Sequence, residues 1–295
     1  MSRTVTVGVD GSPESLAAAH WAAREAELRA AELRLVHAGD QPPHAYTPFG
    51  GEGVPSPGTD LCGRMLGEVA AALRHRHPAL RITAEQIGGQ PARVLPAAAG
   101  DAELLVLGSR GLGPAAGVLL GSMASAVVAR TGRPVVLVRP DTGAAVGRPA
   151  PARPAAPHRQ VVLGLDLYRP HDAVLEFAFD AASRRAAELR VVHGWSRPAH
   201  RSVADGGPGS TPADHLCDGL AETLRPWREK YPDVEVTQEA VVGTPGAHLV
   251  DASHGAALVV VGRKRRHGPL GPHLGAVAHE VLRLAAAPVA VVAHD

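Results

Sequence analysis

The sequence predicts an α/β protein built from two doubly wound, five-stranded parallel-sheet domains in tandem. Its 295 residues are about twice the length of a typical domain. Short runs rich in Val and Leu, without polar alternation, indicate strands buried on both faces, and segments with helical spacing separate them. The second half of the chain also repeats the first, so the two domains are expected to be copies.

The first copy is expected to alternate five strands with four helices. The strands are predicted at residues 4–9, 33–38, 81–87, 103–107 and 134–138. The helices are predicted at residues 13–32, 59–76, 92–100 and 122–130. Strands separated by helices favour a mostly parallel sheet, in which ligands bind beyond the carboxyl ends of the strands at the topological switch point.

The first helix has signals for its start and for its buried side. Ser12 is a suitable N-cap, and Pro13 suits the first helical position because its missing N–H would have no partner there. Helical spacing predicts one apolar side and one hydrated side. The apolar side comprises Leu16, Ala19, Ala23, Ala26 and Ala30, and the hydrated side comprises Glu25, Arg29 and Glu32.

The repeat is recognised from matching segments at nearly constant spacing. The segment RTVTVGVD, ending at Asp10, matches RQVVLGLD, ending at Asp166, 156 residues later. Gly108 and Gly262 are 154 residues apart, so the second copy has lost two residues before this point. A Pro- and Ala-rich segment separates the copies. We expect domain 1 at residues 1–140, a linker at 141–158 and domain 2 at 159–295.

The composition excludes several classes of function. Thirty Lys and Arg against 29 Asp and Glu leave a net charge of +1, which argues against broad nucleic-acid binding. Aromatic residues make up 3% of the chain, too few for base-stacking platforms, and two cysteines cannot form a disulfide framework. With no signal peptide and no apolar stretch of about 20 residues, the protein is predicted to be cytoplasmic and not bound to a membrane.

Distinctive residues lie at the ends of three predicted strands of the first copy. Because parallel strands end at the same edge of a sheet, these residues are expected to lie near one another. They are Gly8, Val9 and Asp10 at the first strand, His37 and Ala38 at the second, and Gly108 at the fourth. We expect a structural role for His37 and for its counterpart His193.

The most informative segment is a glycine-rich loop that leaves the fourth strand and reaches a helix. It has the pattern G-x2-G-x9-G-S, with Gly108, Gly111, Gly121 and Ser122. Glycine lets a backbone approach a ligand closely, and the N–H groups of Gly121, Ser122 and Met123 would point from a helix N-terminus toward an anion. The loop therefore predicts phosphate binding.

These motifs resemble those of the universal stress protein family, and the chain looks like two such domains joined in tandem. The resemblance is carried by V-G-V-D-G-S-x-x-S from Val7 to Ser15, by L-V-H-A from Leu35 to Ala38, and by the glycine-rich loop. It implies the universal stress protein fold, which is similar to that of the adenine-nucleotide α hydrolases. It also implies bound ATP, with or without Mg²⁺.

The resemblance implies a role for each matching position. The phosphate positions are Gly108, Gly111, Gly121, Ser122 and Met123, with Leu107 and Arg110 flanking the triphosphate. Asp10 is expected at the ribose or at a phosphate-bound metal, and Gly8, Val9 and Ala38 at adenine. The corresponding positions of the second copy are Asp166, Gly262 and Gly275. Two simpler interpretations stay open: the glycines could serve the turns alone, and Asp10 could merely cap the first helix.

The second copy departs from the pattern at the phosphate loop. Arg265 stands where the first copy has Gly111, and Ala276 replaces Ser122. The four cationic residues 263–266 could hold phosphates by their side chains or form a solvated charged loop. We expect the second copy to bind nucleotide more weakly than the first, or not at all.

Three functions remain open at this level. The first is an ATP-binding, non-enzymatic regulator of the stress response with unknown protein partners. The second is a slow Mg²⁺-dependent ATPase or phosphotransferase that uses Asp10, and the third is an interaction module that binds no nucleotide. No motif of an activated nucleophile is found in the sequence, which disfavours an efficient enzyme.

The last strand of each copy is expected at a sheet edge, which must be paired or covered. The family resemblance implies that residues 134–138 and 288–292 pair with each other. The pairing could form a pseudo-dimer within one chain, and two chains could also associate as a homodimer.

Overall fold

The computed structural model describes residues 3–39, 57–109, 121–140, 160–195, 212–265 and 274–295. These residues belong to two units, unit 1 (Met1–Pro149) and unit 2 (Ala150–Asp295). The predicted linker, residues 141–158, lies outside the described residues. The domain boundaries at 140 and 159 therefore stay predictions.

Unit 1 contains a doubly wound parallel sheet. Its strands are β1 (Thr4–Gly8), β2 (Glu32–Gly39), β3 (Ile82–Gly88), β4 (Leu104–Gly108) and β5 (Val135–Val138). Its helices are α1 (Pro13–Leu28), α2 (Pro57–Arg76), α3 (Pro91–Ala98) and α4 (Ser122–Arg130). The strand order is β3-β2-β1-β4-β5, and these pairs are parallel. The chain winds from β1 to one side and from β4 to the other, which places the topological switch point between β1 and β4.

Unit 2 repeats this arrangement. Its strands are β6 (Gln160–Gly164), β7 (Leu189–Trp195), β8 (Val236–Val242), β9 (Ala256–Lys264) and β10 (Val289–His294). Its helices are α5 (Asp172–Arg184), α6 (Pro212–Lys230), α7 (Pro245–Ala252) and α8 (Ala276–Leu284). The strand order is β8-β7-β6-β9-β10, again with parallel pairs. The predicted fold class is thus confirmed in both units.

The sheet of each unit forms the centre of its core. In β4 every side chain from Leu104 to Leu107 is buried, and in β5 every side chain from Val135 to Val138 is buried. Among the helices of unit 1, α1 packs with α2, and α3 packs with α4. Burial on both faces explains why the strands have unbroken apolar runs rather than alternation.

The first helix is shorter than predicted. It ends at Leu28, because Ala30 takes a left-handed backbone conformation with φ of 49°. The N–H of Ala31 then bonds to the carbonyl of Ala26 at 2.9 Å, as in a Schellman ending. Ala30, predicted on the buried side of the helix, is exposed in the turn that leads to β2.

The predicted hydrated side of α1 is also wrong at two positions. Glu25 and Arg29 are buried, with side chains 1% and 5% exposed, and Arg29 Nε donates to Glu25 Oε1 at 2.6 Å. Glu103, just before β4, lies 3.7 Å from Arg29 Nη1. Leu16, predicted to be buried, is 36% exposed. Helical spacing treats charge as a sign of hydration, whereas an ion pair can be buried when its partners satisfy each other.

Candidate functional site

The turn between β1 and α1 is held by its own polar side chains. Asp10 Oδ1 accepts hydrogen bonds from the N–H of Ser12 (3.0 Å) and from its hydroxyl (2.5 Å). Ser12 Oγ in turn accepts from the N–H of Ser15 at 3.2 Å, which confirms Ser12 as the N-cap. Gly11 has φ of +81°, a conformation that favours glycine. Asp10 therefore shapes the turn and does not itself cap the helix, and it is exposed at the carboxyl edge of the sheet.

A side chain from α2 lies over this turn. Met65 Cγ and Sδ are 3.5 and 3.8 Å from the position that a Cβ would take on Gly11. The contact joins two elements that are distant in sequence, and no pattern in the sequence marks Met65 as part of the site. Sequence reasoning missed this residue.

His37 holds the ends of β1 and β2 together. Its Nδ1 hydrogen-bonds to the carbonyl of Val9 at 2.8 Å, and the N–H of Val9 donates to the carbonyl of Val36 at 2.9 Å. In unit 2, His193 Nδ1 bonds to the carbonyl of Leu165 at 3.0 Å. These two hydrogen bonds support the structural role expected for both histidines.

The second strand extends beyond the end of the first. Pairing between β1 and β2 stops at Val36, whereas pairing between β2 and β3 continues to Gly39. Ala38 therefore lies past the last pair with β1, at the edge where its motif was expected to contact a ligand.

Two of the predicted site glycines are required by the packing of the chain on itself. A Cβ on Gly8 would lie 2.8 Å from Leu107 Cδ2, and a Cβ on Gly108 would lie 2.5 Å from the carbonyl carbon of Glu14. The side chain of Leu107 is buried in the core, so a ligand could meet only its backbone. The steric interpretation is sufficient for these two glycines.

The start of α4 differs, because the described part of the chain does not require glycine there. Gly121 is the N-cap, with φ of −57° and ψ of 139°, a conformation open to any residue. A Cβ on Gly121 would meet nothing within 4 Å among the described residues, and α4 has no side-chain cap. Ser122 and Met123 begin the helix, whose first N–H groups have no partners within it. Arg110 and Gly111 lie outside the described residues.

Unit 2 keeps part of this geometry. Asp166 Oδ1 accepts from the N–H of Tyr168 at 3.1 Å, which reproduces the turn formed by Asp10. Gly275 is the N-cap of α8, with φ of −64° and ψ of 159°, and the space around its Cβ position is open among the described residues. A Cβ on Gly262, in contrast, would lie 3.0 Å from Nε2 of His294 and 3.2 Å from Val174.

The carboxyl ends of β9 and β10 carry a group of side chains that sequence reasoning did not bring together. Arg265 donates to both carboxylate oxygens of Asp295, at 2.9 and 3.0 Å. His171, from the turn before α5, bonds to the main-chain oxygen of Asp295 at 3.0 Å, and its ring contacts that of His294 at an interplanar angle of 35°. We call these four residues the Asp295 cluster. Its members come from three separate segments, so no local spacing could have predicted it.

The part of the chain that the structure describes contains neither a metal-binding group of side chains nor a membrane-spanning helix. No group of three or more His, Cys, Asp and Glu side chains in that part could hold a metal ion. A divalent ion at Asp10 would therefore need ligands from outside the described residues, such as phosphate oxygens and water. In the same part of the chain, no helix has the length and apolar character needed to cross a membrane.

The chain is similar to known proteins along almost its whole length. The model of the universal stress protein family matches residues 1–139 and 157–293. A universal stress protein of Mycobacterium tuberculosis strain H37Rv is 35% identical over 298 residues, which cover 97% of this chain and 96% of the relative. Another from the same strain is 34% identical over 316 residues, which cover 97% and 94%. The crystal structure of a universal stress protein from Archaeoglobus fulgidus DSM 4304 has a TM-score of 0.72 at 18% identity and covers 100% of both chains.

These comparisons concern both halves of the chain. The family model matches the two copies separately, and the two mycobacterial relatives align across both of them. The crystal structure supports the fold alone, because its sequence identity is low. The chain therefore belongs to the universal stress protein family and contains two of its domains in tandem.

Proposed function

We propose that unit 1 binds ATP at the carboxyl ends of β1, β2 and β4, and that the bound nucleotide regulates contacts with protein partners during stress. The observation that carries the proposal is the start of α4. Gly121 is a glycine that neither backbone conformation nor neighbouring atoms of the described chain require. Glycine is favoured at an N-cap, and a ligand that approaches the backbone closely would be a further reason for it at Gly121.

The first turn of α4 would hold the phosphates. The N–H groups of Gly121, Ser122 and Met123 are donors at the carboxyl edge of the sheet, and Gly111 and Arg110 of the same loop would complete the site. A hydrogen bond to a charged group contributes about 1.5–3 kcal/mol. The helix dipole contributes about 0.3–1 kcal/mol at an exposed terminus. The directed donors would therefore supply most of the affinity.

The turn after β1 and the end of β2 would hold the nucleoside. Asp10 is an exposed carboxylate that could accept hydrogen bonds from ribose hydroxyls, and Gly8, Val9 and Ala38 would surround adenine. If Mg²⁺ accompanies the phosphates, Asp10 could supply one ligand. Phosphate oxygens and water would supply the others.

The test compares two glycines that share one backbone geometry. Gly121→Val in unit 1 and Gly275→Val in unit 2 both place a side chain at a helix N-cap with open surroundings. Any cost to the helix should thus be similar in the two variants. ATP at about 100 times its dissociation constant should stabilise the full chain by about 2.7 kcal/mol in thermal unfolding. We expect Gly121→Val to abolish this shift and Gly275→Val to keep it.

Other results of these ATP experiments would favour one of the two alternative functions. If ATP leaves the melting temperature of the unmodified chain unchanged, the interaction module without nucleotide is favoured. Mass spectrometry of small molecules released from the purified protein would give an independent answer. Steady phosphate release from ATP that is lost in Asp10→Ala would instead support the slow ATPase.

A further inference from the structure

Six matching positions differ in charge between the two copies. They lie on the first helix of each unit, at the end of the second helix and just before the third strand. In unit 1 they are Leu16, His20, Arg24, His75, Ala79 and Arg81. In unit 2 they are Asp172, Glu176, Asp180, Glu229, Asp233 and Glu235. Unit 1 therefore has no acid at any of these positions, whereas unit 2 has a carboxylate at every one.

In unit 1 these positions form a basic face on α1 and the end of α2, two helices that pack together. His20 and Arg24 are neighbours because they are four residues apart on one helix. Arg24 and Arg76 both act electrostatically on His20, so the end of α2 lies beside this row. The acid Glu27 is paired with His77 at 2.8 Å. Arg24 and Arg76 are exposed, and neither has a carboxylate partner among the described residues.

In unit 2 the matching positions form an acidic face on α5 and the end of α6. Two of its carboxylates are paired within the unit, Glu176 with Lys230 at 2.7 Å and Asp180 with Arg184 at 2.8 Å. The other four carboxylates are exposed and make no hydrogen bond or ion pair within the described part of the chain. These four belong to Asp172, Glu229, Asp233 and Glu235.

Both faces also present apolar side chains to water. On α1, Leu16 and Leu28 are 36% and 41% exposed. In unit 2, Trp227 at the end of α6 and Tyr231 just after it are half-buried. Interfaces combine an apolar centre, often aromatic, with a polar rim, and complementary charge sets their specificity. The two faces offer both kinds of surface.

We propose that the basic face of unit 1 binds the acidic face of unit 2 in a second copy of the chain. Charge complementarity selects this occupant, because the same sequence carries the unpaired cations of one face and the unpaired carboxylates of the other. The two faces differ, so the contact is heterologous and either closes into a ring of molecules or continues from one molecule to the next. It uses helices rather than the last strands, and it does not depend on nucleotide binding.

The first test is whether the full chain associates in a salt-dependent way. Charges act over about 30 Å at about 0.01 M salt but over only about 3 Å at about 1 M. Sedimentation equilibrium at low salt should give an average mass that rises with protein concentration above the mass at high salt. The mass at high salt includes association through any uncharged surface. The proposal is overturned if the two masses are the same.

Two variants each reverse the charge of one face. Arg24→Glu with Arg76→Glu makes the basic face acidic. The second variant combines Glu229→Arg, Asp233→Arg and Glu235→Arg, which makes most of the acidic face basic. In either variant the two faces repel each other, so each variant alone should lose the increase in mass at low salt. All five side chains are exposed, so the core is not disturbed.

Mixing the two variants restores one complementary pair, because each variant keeps the face that the other has lost. The mixture should associate roughly tenfold more tightly than either variant alone. A matched control is Arg93→Glu with Arg130→Glu, which makes the same change in net charge as the first variant on exposed positions of α3 and α4. This control should associate as the unmodified chain does. A mixture that gains no mass, or a control that loses association, contradicts the proposed contact.

Discussion

The turn after the first strand has a small residue in unit 1 and a large one at the matching position in unit 2. In unit 1, Gly11 takes a left-handed conformation and Met65 from α2 lies over it. In unit 2, the matching residue is Leu167, whose Cδ2 lies 3.3 Å from the Cβ position of Gly219 on α6. The large side chain comes from the helix in one unit and from the turn in the other. Of these two turn residues, Gly11 alone takes a left-handed conformation, which favours glycine.

The same contrast extends to the other strand ends. The helix starts at Gly121 and Gly275 are open in both units, whereas the ends of β9 and β10 in unit 2 carry the Asp295 cluster. Duplication therefore preserved the sheet and let the strand ends diverge. The sheet is constrained by its buried faces, whereas an exposed strand end can change its side chains with little cost to the core.

The largest expected effect concerns the buried ion pair of unit 1. Glu25→Ala would leave the buried guanidinium of Arg29 without its closest carboxylate, and we expect it to destabilise unit 1 by about 3 kcal/mol. Unit 2 has Ala181 at the matching position. Hydrogen exchange measured by mass spectrometry should show faster exchange in α1 and unchanged exchange in α5.

The matched control for this prediction is Asp180→Ala in unit 2. Asp180 pairs with Arg184 four residues later, as Glu25 does with Arg29, but its side chain is 25% exposed. We expect a loss of less than about 1 kcal/mol. Equal losses in the two variants would contradict the importance given to burial.

The next effect tests the glycines at the ends of β4 and β9. Gly108→Ala would drive a Cβ to 2.5 Å from backbone atoms of Glu14, which cannot move without shifting α1, and we expect a loss of about 2 kcal/mol. Gly262→Ala would place a Cβ 3.0 Å from His294 and 3.2 Å from Val174, both side-chain contacts and both longer than the contact at Gly108, and should cost less than about 1 kcal/mol. Denaturant unfolding of both variants measures the difference. A reversed order would show that α1 adjusts more easily than the Asp295 cluster.

A smaller effect should be the same in both units. Ala30 and Ala186 end α1 and α5 in left-handed conformations, with φ of 49° and 46°. Ala30→Gly and Ala186→Gly should each stabilise the chain by up to about 1 kcal/mol, because glycine adopts this conformation without a steric penalty. The melting temperature reports both changes. A gain in only one unit would show that the two helix endings are not equivalent.

The smallest expected effect is a difference between the two units in how their stability depends on pH. Burial lowers the pKa of His20 below 6.5, and the charges of Arg76 and Arg24 lower it further. The neutral ring is therefore favoured in the folded state. Its contribution to stability is complete above pH 6.5 and is lost as the pH falls below that value.

Unit 2 avoids this loss with a different residue. Glu176, which matches His20, accepts a hydrogen bond from Lys230 at 2.7 Å, and Lys230 matches Arg76. We expect His20→Glu to add about 0.2–1 kcal/mol at neutral pH through a pair with Arg76. It should also reduce the loss of stability on acidification. Denaturant unfolding at about pH 7.5 and about pH 5.5 tests this, and an unchanged pH dependence would argue against the role of His20.

Some local features were predictable because their causes lie within a few residues. Ser12 and Pro13 begin α1 as expected, since an N-cap depends on the N–H groups that directly follow it. The strand limits differ from the prediction by one residue: β2 is longer at both ends, since its pairing with β3 continues to Gly39, whereas β1 and β5 are each one residue shorter. The buried side of α1 was wrong at Glu25, since its burial depends on an ion pair and on Glu103 across the fold.

The sequence by itself determined the duplication, the alternation of strands and helices, and the positions of the site motifs. These features are written in spacing and residue type, which the chain carries whether it is folded or not. Only the tertiary structure decided which glycines serve packing, as Gly108 does, and which lie open, as Gly121 does. It also decided that Arg265, His171 and Asp295 meet. Contacts between distant segments depend on the path of the folded chain, and residue spacing does not encode that path.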